Sequence, residues 1–341
     1  MLTKERAIEL YHSRFNGNRY DAGYKYGNIL FNKGVVLKNI FTLTPEKIEF
    51  GSQCMKEYER AFPEALEEMR GLADGWRSSL EDLSAFLLSM YCMTFDNKCS
   101  CFAWTDGENI LFGRNSDFLT ELEDSYESCF YRLDGGYSFI GNTTAMVQME
   151  DGVNEHGLAV GLTFIYPLVF RPGLNAGMLT RYILEKCKTV KQALEVLQRL
   201  PIASAQAITM LDRSGDMAVV ECNCEKIAII RPEPGNGFVA ATNQFVSKEM
   251  KQYAYSGPDE IHSGERYRTL TDALGGATGC SLDFAMGLLS GKYGFMCQYE
   301  REKGLDTVWS TIYDLKNFKV YRAEGNPSRK GFQEDRRLKF V

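Results

Sequence analysis

Histidine is almost missing: His12, His156 and His262 are the three in 341 residues. They are too scattered to define a nucleophile–His–acid triad, and no Gly-x-Ser-x-Gly elbow occurs. No stretch reaches the ~18 uncharged apolar residues expected of a membrane span. The segment Met1 to Leu10 mixes Lys4, Glu5, Arg6 and Glu9 with apolar residues. It has neither the apolar core nor the small-residue cleavage site of a secretion signal. Net charge is −6, from 45 acids against 39 bases, and no basic stripe with interleaved aromatics is present. Nucleic acid is therefore not an expected partner, nor is a membrane. The run Gly287-Leu288-Leu289-Ser290-Gly291-Lys292 is one residue short of a phosphate-binding loop and lacks its closing Ser or Thr.

Ten cysteines are too dilute over this length for a disulfide scaffold. Without a signal they read as reduced thiols of a cytoplasmic protein. Cys99-x-Cys101 and Cys222-x-Cys224 lack zinc-finger spacing and have no histidine near them, so they read as core thiols and no metal is expected; chemistry on a thiol requires no organic cofactor either.

What is present is the composition of a folded protein, 44% hydrophobic and 25% charged. The first hundred residues read as helical. Thr44-Pro45-Glu46-Lys47 starts one helix. Tyr58 to Arg70 carries apolar residues at helical spacing, with Gly71 as its expected end. Leu80-Glu81-Asp82-Leu83 opens another, running to about Met93. From Cys99 onward the texture changes. Ser100–Thr105 and Asn109–Arg114 read as strands around a turn. Further strands are expected at Ser128–Leu133, Ser138–Ile140, Ala145–Met149 and Leu158–Phe164. Two helices follow, at Gly177–Lys186 and Val190–Arg199. Strands return at Ala207–Leu211, Met217–Cys222, Lys226–Ile230 and Phe238–Ala241. Helices near Glu265–Leu274 and Leu282–Ser290 precede the strands Val308–Asp314 and Phe318–Arg322. Strands, a helical pair and strands again make an α+β layered fold. There is no internal repeat and no evident linker.

The informative stretch is Cys99-Ser100-Cys101-Phe102-Ala103-Trp104, followed by Gly113-Arg114-Asn115-Ser116-Asp117-Phe118. One strand begins with a thiol, and the next, antiparallel to it, ends with an arginine and an aspartate. Arg114 can lower the thiol pKa, and Asp117 can accept hydrogen bonds from a free α-amine at residue 99. Such an amine titrates near pH ~8 and can take the thiol proton itself, so base and nucleophile belong to one residue. The same residues also fit a buried thiol beside an ion pair. Cys101 is a rival thiol, two residues along the strand and on the same face.

These two stretches resemble the start of the mature chain in the N-terminal-nucleophile (Ntn) hydrolases of the acyl-CoA:6-aminopenicillanic acid acyltransferase type, relatives of choloylglycine hydrolase and penicillin V acylase. Their pattern is Cys followed by Ser or Thr, then a strand ending in Gly-x-Asn-x-Asp. Cys99, Ser100, Gly113, Asn115 and Asp117 match it, and Arg114 matches the bile-salt hydrolase branch. Glu68 to Gly75 resembles a helix end of the acyltransferase pro-segment. Asn154-Glu155-His156-Gly157-Leu158 resembles a turn of the hydrolases. Ala241-Thr242-Asn243 resembles a strand-ending Thr-Asn pair, and Glu265-Arg266-Tyr267 a later Ser-Arg-Phe segment. The resemblance covers nearly the whole chain. Three departures stand out. Lys98 replaces the acyltransferase Gly. Thr163 stands where the hydrolases often have Asn. An arginine before the Thr307–Asp314 strand is lacking, with Arg301 and Lys303 the nearest cations.

The resemblance implies a four-layer αββα sandwich. It implies self-cleavage between Lys98 and Cys99, leaving residues 1–98 as a helical pro-segment packed on a catalytic part, 99–341. Cys99 would be the nucleophile, Asp117 the holder of its α-amine, and Arg114 the group that tunes the thiolate. Asn243 and the Thr163 backbone N–H would stabilise the oxyanion, with Arg266 supporting the charge network. The expected activity is hydrolysis of a small-molecule linear amide through a thioester. Acyl transfer between an acyl-CoA and an amine is the alternative, and a redox thiol protein using Cys99 and Cys101 is a third. Phe164, Tyr166 and Phe170 are candidates for an acyl pocket, equally suited to core packing. A homo-oligomer is left open.

Overall fold

The computed structural model describes residues 13–93, 98–279 and 281–337. The segment Met1 to Leu10, His12 and residues 94–97 of the expected pro-segment lie outside them.

Among the described residues the first elements are a short strand, β1 (Arg14–Gly17), and then α1 (Arg19–Asn32), α2 (Leu37–Ile40), α3 (Pro45–Ala61), α4 (Pro63–Trp76) and α5 (Leu80–Ser89). Local chemistry sets these starts. Asn18, Thr44 and Ser79 accept the backbone N–H groups of Asp21, Lys47 and Asp82, and Pro45 and Pro63 occupy first turns. Each such cap is worth about 1 kcal/mol.

Gly71 does not end a helix, contrary to the sequence reading. It lies within α4, where a Cβ would stand 2.0 Å from the Tyr20 carbonyl oxygen of α1. Gly75, Gly23 and Gly27 face equally close backbone, so the two helices touch through glycines rather than side chains. The expected helix across Tyr58 to Arg70 is also broken, at Phe62, where Pro63 starts α4.

The strands are β2 (Lys98–Thr105), β3 (Ile110–Leu119), β4 (Glu127–Leu133), β5 (Phe139–Thr143), β6 (Asp151–Asn154), β7 (Ala159–Phe164), β8 (Gln206–Leu211), β9 (Met217–Cys222), β10 (Ile227–Ile230), β11 (Phe238–Ala241), β12 (Leu305–Asp314), β13 (Lys319–Ala323) and β14 (Gln333–Asp335). They form an eight-stranded sheet, β1-β4-β5-β6-β7-β8-β9-β10, and a six-stranded one, β11-β2-β3-β12-β13-β14. Helices α6 (Ala176–Lys186) and α7 (Val190–Leu197) follow β7, while α8 (Ser263–Gly275) and α9 (Leu282–Leu289) follow β11.

The sheets face each other through β2 and β7, and α6 packs against β6 and β7 on the far side of the larger sheet. On the far side of the smaller sheet, Leu270, Leu274 and Leu288 of α8 and α9 cover Phe102 and Trp104. The result is the expected four-layer αββα sandwich. Central strands are covered on both faces, which is why β7, β8 and β9 are buried along their whole length.

Two further elements differ from expectation before the site is reached. The N-terminal segment is not wholly helical: β1 pairs in parallel with β4, and Phe15 stacks on Tyr131 at 4.7 Å. Ala145–Met149 forms a turn, not a strand, with Met146 at φ 59°. Its polar groups bind helices instead of a ladder: Gln148 Nε2 donates to the Leu87 carbonyl of α5, and Val147 C=O accepts from Arg181 of α6.

Candidate active site

A hairpin turn builds the site. Asp106 Oδ1 accepts the N–H groups of Glu108 and Asn109, and Gly107 takes the left-handed φ of +90°. This turn fixes the β2–β3 register, in which Lys98 lies opposite Asp117, Cys99 opposite Ser116 and Cys101 opposite Arg114. Facing residues of an antiparallel pair share a face. Cys99, Cys101, Arg114 and Ser116 therefore point between the sheets. Lys98, Ser100, Asn115 and Asp117 share the other face, toward α8 and α9.

Between the sheets, Arg114 is fully buried and fully engaged. Its Nη2 donates to Cys99 Sγ at 2.8 Å and to Glu150 Oε2 at 3.3 Å. Nη1 donates to Asp151 at 3.0 Å, and Nε to the Leu162 carbonyl at 3.1 Å. Glu150 also accepts from Ser116 Oγ, Thr144 N–H and Thr144 Oγ1. Asp151 accepts from Asn142, Trp309 Nε1 and the Tyr313 hydroxyl. Burial pushes the Cys99 thiol up to about 12, while the Arg114 charge pulls it down. In the uncleaved chain, desolvation outweighs the arginine. Cys101 is likewise raised by burial, against the pull of the Arg114 charge, and its Sγ lies 3.9 Å from the Leu162 carbonyl.

On the helix side, Asp117 accepts from Thr307 Oγ1 at 2.6 Å and Tyr299 OH at 2.9 Å, with Arg266 Nη1 3.8 Å away. Burial raises its pKa to about 6, against the pull of Arg266 and the two hydroxyl bonds. Arg266, on α8, is a backbone clamp: Nη1 donates to the Cys99 carbonyl at 2.5 Å and to Ser100 Oγ at 2.8 Å, and Nη2 donates to Asn243 Oδ1 at 2.8 Å. Asn243 sits just past β11. Its Oδ1 accepts the Cys99 N–H at 3.0 Å, and its Nδ2 donates to the Phe164 carbonyl at 2.7 Å. Because Arg266 and an amide N–H can only donate, this network fixes which end of Asn243 is nitrogen.

Six residues named from the sequence are thus gathered around one hairpin and its neighbours, with one qualification. Leu162 N–H turns to the Glu150 carbonyl, so the next amide, that of Thr163, turns the other way, into the ladder with Ala207. That N–H is committed to the sheet, so the expected second oxyanion donor is not aimed at the thiol. Arg301 and Lys303 lie away from the site, paired with Glu123, Asp306 and Glu300. Sequence reasoning missed Glu150, Asp151, Tyr299 and Thr307. A signal existed for the first two: adjacent acids flanked by Met149 and by Gly152-Val153 are unusual inside an apolar stretch. Among the described residues no cluster of three or more His, Cys, Asp or Glu side chains is placed to hold a metal ion. No described helix is long and apolar enough to cross a membrane.

Beside the hairpin lies a cavity of about 1230 Å³. Asn243, Phe164 and Tyr166 line it, together with Phe41, Phe86 and Met93 from the N-terminal helical segment. Phe170 instead packs edge-on against Phe50. Cys99 is fully buried and is not part of the cavity wall.

No curated protein matches the chain by sequence. Among solved structures, a mutant of the conjugated bile acid hydrolase from Clostridium perfringens aligns with TM-score 0.50 and 16% identity, covering 66% of this chain and 89% of its own. A second variant of that hydrolase aligns with the same TM-score, identity and coverage. A Caenorhabditis elegans ortholog of N-acylethanolamine-hydrolyzing acid amidase aligns at TM-score 0.48 and 16% identity, covering 64% of this chain and 93% of its own. The likeness to the bile acid hydrolase identifies the layered fold as the Ntn-hydrolase fold. The family described as acyl-coenzyme A:6-aminopenicillanic acid acyl-transferase matches residues 104–329, well over half of the sequence, and the chain belongs to that family.

Proposed function

We propose that the chain is the precursor of a thiol amidohydrolase, activated by cleavage between Lys98 and Cys99. The observation that carries this reading is the convergence on one residue: Arg114 at 2.8 Å from Cys99 Sγ, Asn243 on its N–H and Arg266 on its carbonyl. A cysteine of ordinary core packing does not need its sulfur, nitrogen and carbonyl each held by a different polar side chain. In the whole chain the thiol is buried and its pKa is high, so the precursor is inactive.

Cleavage converts the Cys99 N–H into an amine, which takes the thiol proton. The sulfur attacks the amide carbonyl, and Asn243 Nδ2 donates to the developing oxyanion. Loss of one such donor costs about 3 kcal/mol of barrier. The C–N bond breaks as the Cys99 ammonium returns its proton to the departing amine, and water then adds to the thioester, a C–O bond replacing C–S and the sulfur regaining a proton. Arg114 holds the thiolate, and Asp117, through the backbone side of residue 99, holds the ammonium. The apolar cavity takes the acyl group.

The helical segment stays attached after cleavage. Arg19 of α1 pairs with Glu185 of α6, and Glu68 of α4 with Arg181, all buried. The nine described cysteines are all buried thiols outside any disulfide, in keeping with a cytoplasmic setting.

Family membership favours a second reading, in which an amine rather than water accepts the acyl group. Intact mass after expression tests the shared site: fragments 1–98 and 99–341 from wild type, and an unbroken chain from Cys99→Ala. An acyl-CoA and an amine offered together separate the readings, because new amide means transfer and free acid alone means hydrolysis. An active, unbroken chain indifferent to Cys99→Ala sinks both.

A further inference from the structure

Before cleavage the nitrogen of Cys99 is an amide, its lone pair delocalised into the Lys98 carbonyl and unable to serve as a base. The base that serves the mature enzyme is therefore unavailable to the reaction that creates it. Some other group must take the thiol proton when sulfur first attacks the Lys98 carbonyl.

The hairpin limits the choice. Asp117 lies on the opposite face from Cys99 Sγ, bound by Tyr299 and Thr307. Asp151 shares Arg114 but is enclosed by Asn142, Trp309 and Tyr313. Glu150 is on the sulfur's face and fully buried. Its Oε2 accepts from Ser116 Oγ at 3.2 Å, and Ser116 is the direct cross-strand partner of Cys99. The same Arg114 Nη2 touches Cys99 Sγ at 2.8 Å and Glu150 Oε2 at 3.3 Å.

We propose that Glu150, relayed through Ser116, is the proton acceptor for self-cleavage. The inference rests on the reading that the chain cleaves before Cys99. The Sγ proton passes to Ser116 Oγ as the hydroxyl proton passes to Glu150, while Arg114 steadies the thiolate. Sulfur attacks the Lys98 carbonyl carbon and forms a C–S bond. The C–N bond to Cys99 breaks, and the departing nitrogen takes the proton held by Glu150, becoming the free amine. Water then adds to the Lys98 thioester, a C–O bond replaces C–S, and the sulfur regains a proton. Once the amine exists, Glu150 is no longer needed as a base. Maturation and turnover thus use different bases at one sulfur.

The test follows cleavage of full-length protein by intact mass, in wild type, Glu150→Gln, Glu150→Asp and Ser116→Ala. A general base contributes about a hundredfold or more to rate, so Glu150→Gln should slow cleavage by at least that much, with Glu150→Asp partly restoring it. Ser116→Ala should slow cleavage with little effect on folding. Two further readouts separate proton transfer from mere support. Hydroxylamine, which cleaves thioesters, should not rescue Glu150→Gln, because the block precedes the thioester. The pH–rate profiles of cleavage in wild type and Glu150→Gln should differ in shape and not only in height, which loss of mere support would not produce. The groups facing Glu150 are Arg114 and Ser116 of β3, Thr144 after β5, and Cys99 of β2, with Asp117 and Arg266 beyond the sheet. Cleavage of Glu150→Gln or Ser116→Ala at the wild-type rate overturns the assignment while leaving the nucleophile intact. A wild type that stays whole overturns both.

Discussion

The side chains of Cys99 and Asp117 leave the β2–β3 hairpin on opposite faces. Cys99 is paired with Ser116 and meets Arg114; Asp117 is paired with Lys98 and meets Tyr299 and Thr307. The aspartate can therefore address the backbone end of residue 99 but not its sulfur. One strand position separates the two functions that a terminal nucleophile needs.

This placement has a pH signature. Burial raises Asp117 from its ordinary 3.8 to about 6, so the folded state keeps a proton that the unfolded state has released. Between those values the folded state binds more protons, and stability falls as pH rises through the window. Asp117→Asn, made in an uncleaved Cys99→Ala background, removes that dependence. Urea unfolding at pH 4 and pH 7 should show the variant gaining on its parent at the higher pH. An unchanged difference at the two pH values contradicts the burial argument.

Arg114 neutralises two buried carboxylates while touching the thiol. Arg114→Met leaves Glu150 and Asp151 uncompensated, and breaking such a buried pair costs about 3–5 kcal/mol. A large drop in melting temperature is expected. Arg114→Lys keeps the charge but cannot span all four partners with a single ammonium. That protein should fold, with kcat reduced at least about tenfold, since one lost charge-assisted bond is worth roughly 1.5 kcal/mol or more. Full activity in Arg114→Lys would show that the planar fork is dispensable.

Gly71 and Gly275 test helix contact separately from helix propensity. A Cβ on Gly71 meets the Tyr20 carbonyl at 2.0 Å, whereas one on Gly275 comes no nearer than 3.9 Å, to the Phe238 ring. Gly71→Ala must push α1 and α4 apart, for a loss of about 1–3 kcal/mol. Gly275→Ala should be neutral or slightly stabilising. Thermal melts of the two variants should move in different directions, and equal shifts would contradict the close approach.

Gly71 also shows what the sequence conceals. A glycine after a helical run signals an end, and only the partner helix reveals that it marks a contact. The hairpin was legible because its turn chemistry and strand patterns are local, and Cys99, Arg114 and Asp117 stand on it. Asn243 and Arg266 were reached by resemblance, since nothing in a strand end or an α8 cation announces its distant partner. Glu150 and Tyr299 meet the site only through sheet packing and a long connection. The Ala145–Met149 turn was misread because its pattern satisfies a strand equally well, and its partners on α5 and α6 decide otherwise.

The N-terminal helical segment should set the size of acyl group accepted. Phe41, Phe86 and Met93 come from that segment, yet they line the cavity that Asn243 also borders. Cleavage would leave them on a separate polypeptide that still forms the chamber's wall. Met93 is partly buried and lines this space, so a bulkier ring there takes up part of its volume. Met93→Trp should raise KM for amides of long or bulky acyl groups by about tenfold, equivalent to ~1.4 kcal/mol of lost binding, while short acyl amides turn over as in wild type. A homologous series of fluorogenic acyl amides, compared by kcat/KM, measures this. A uniform loss across the series would place Met93 in general support of the fold, and no change at any chain length would remove the cavity from the acyl path.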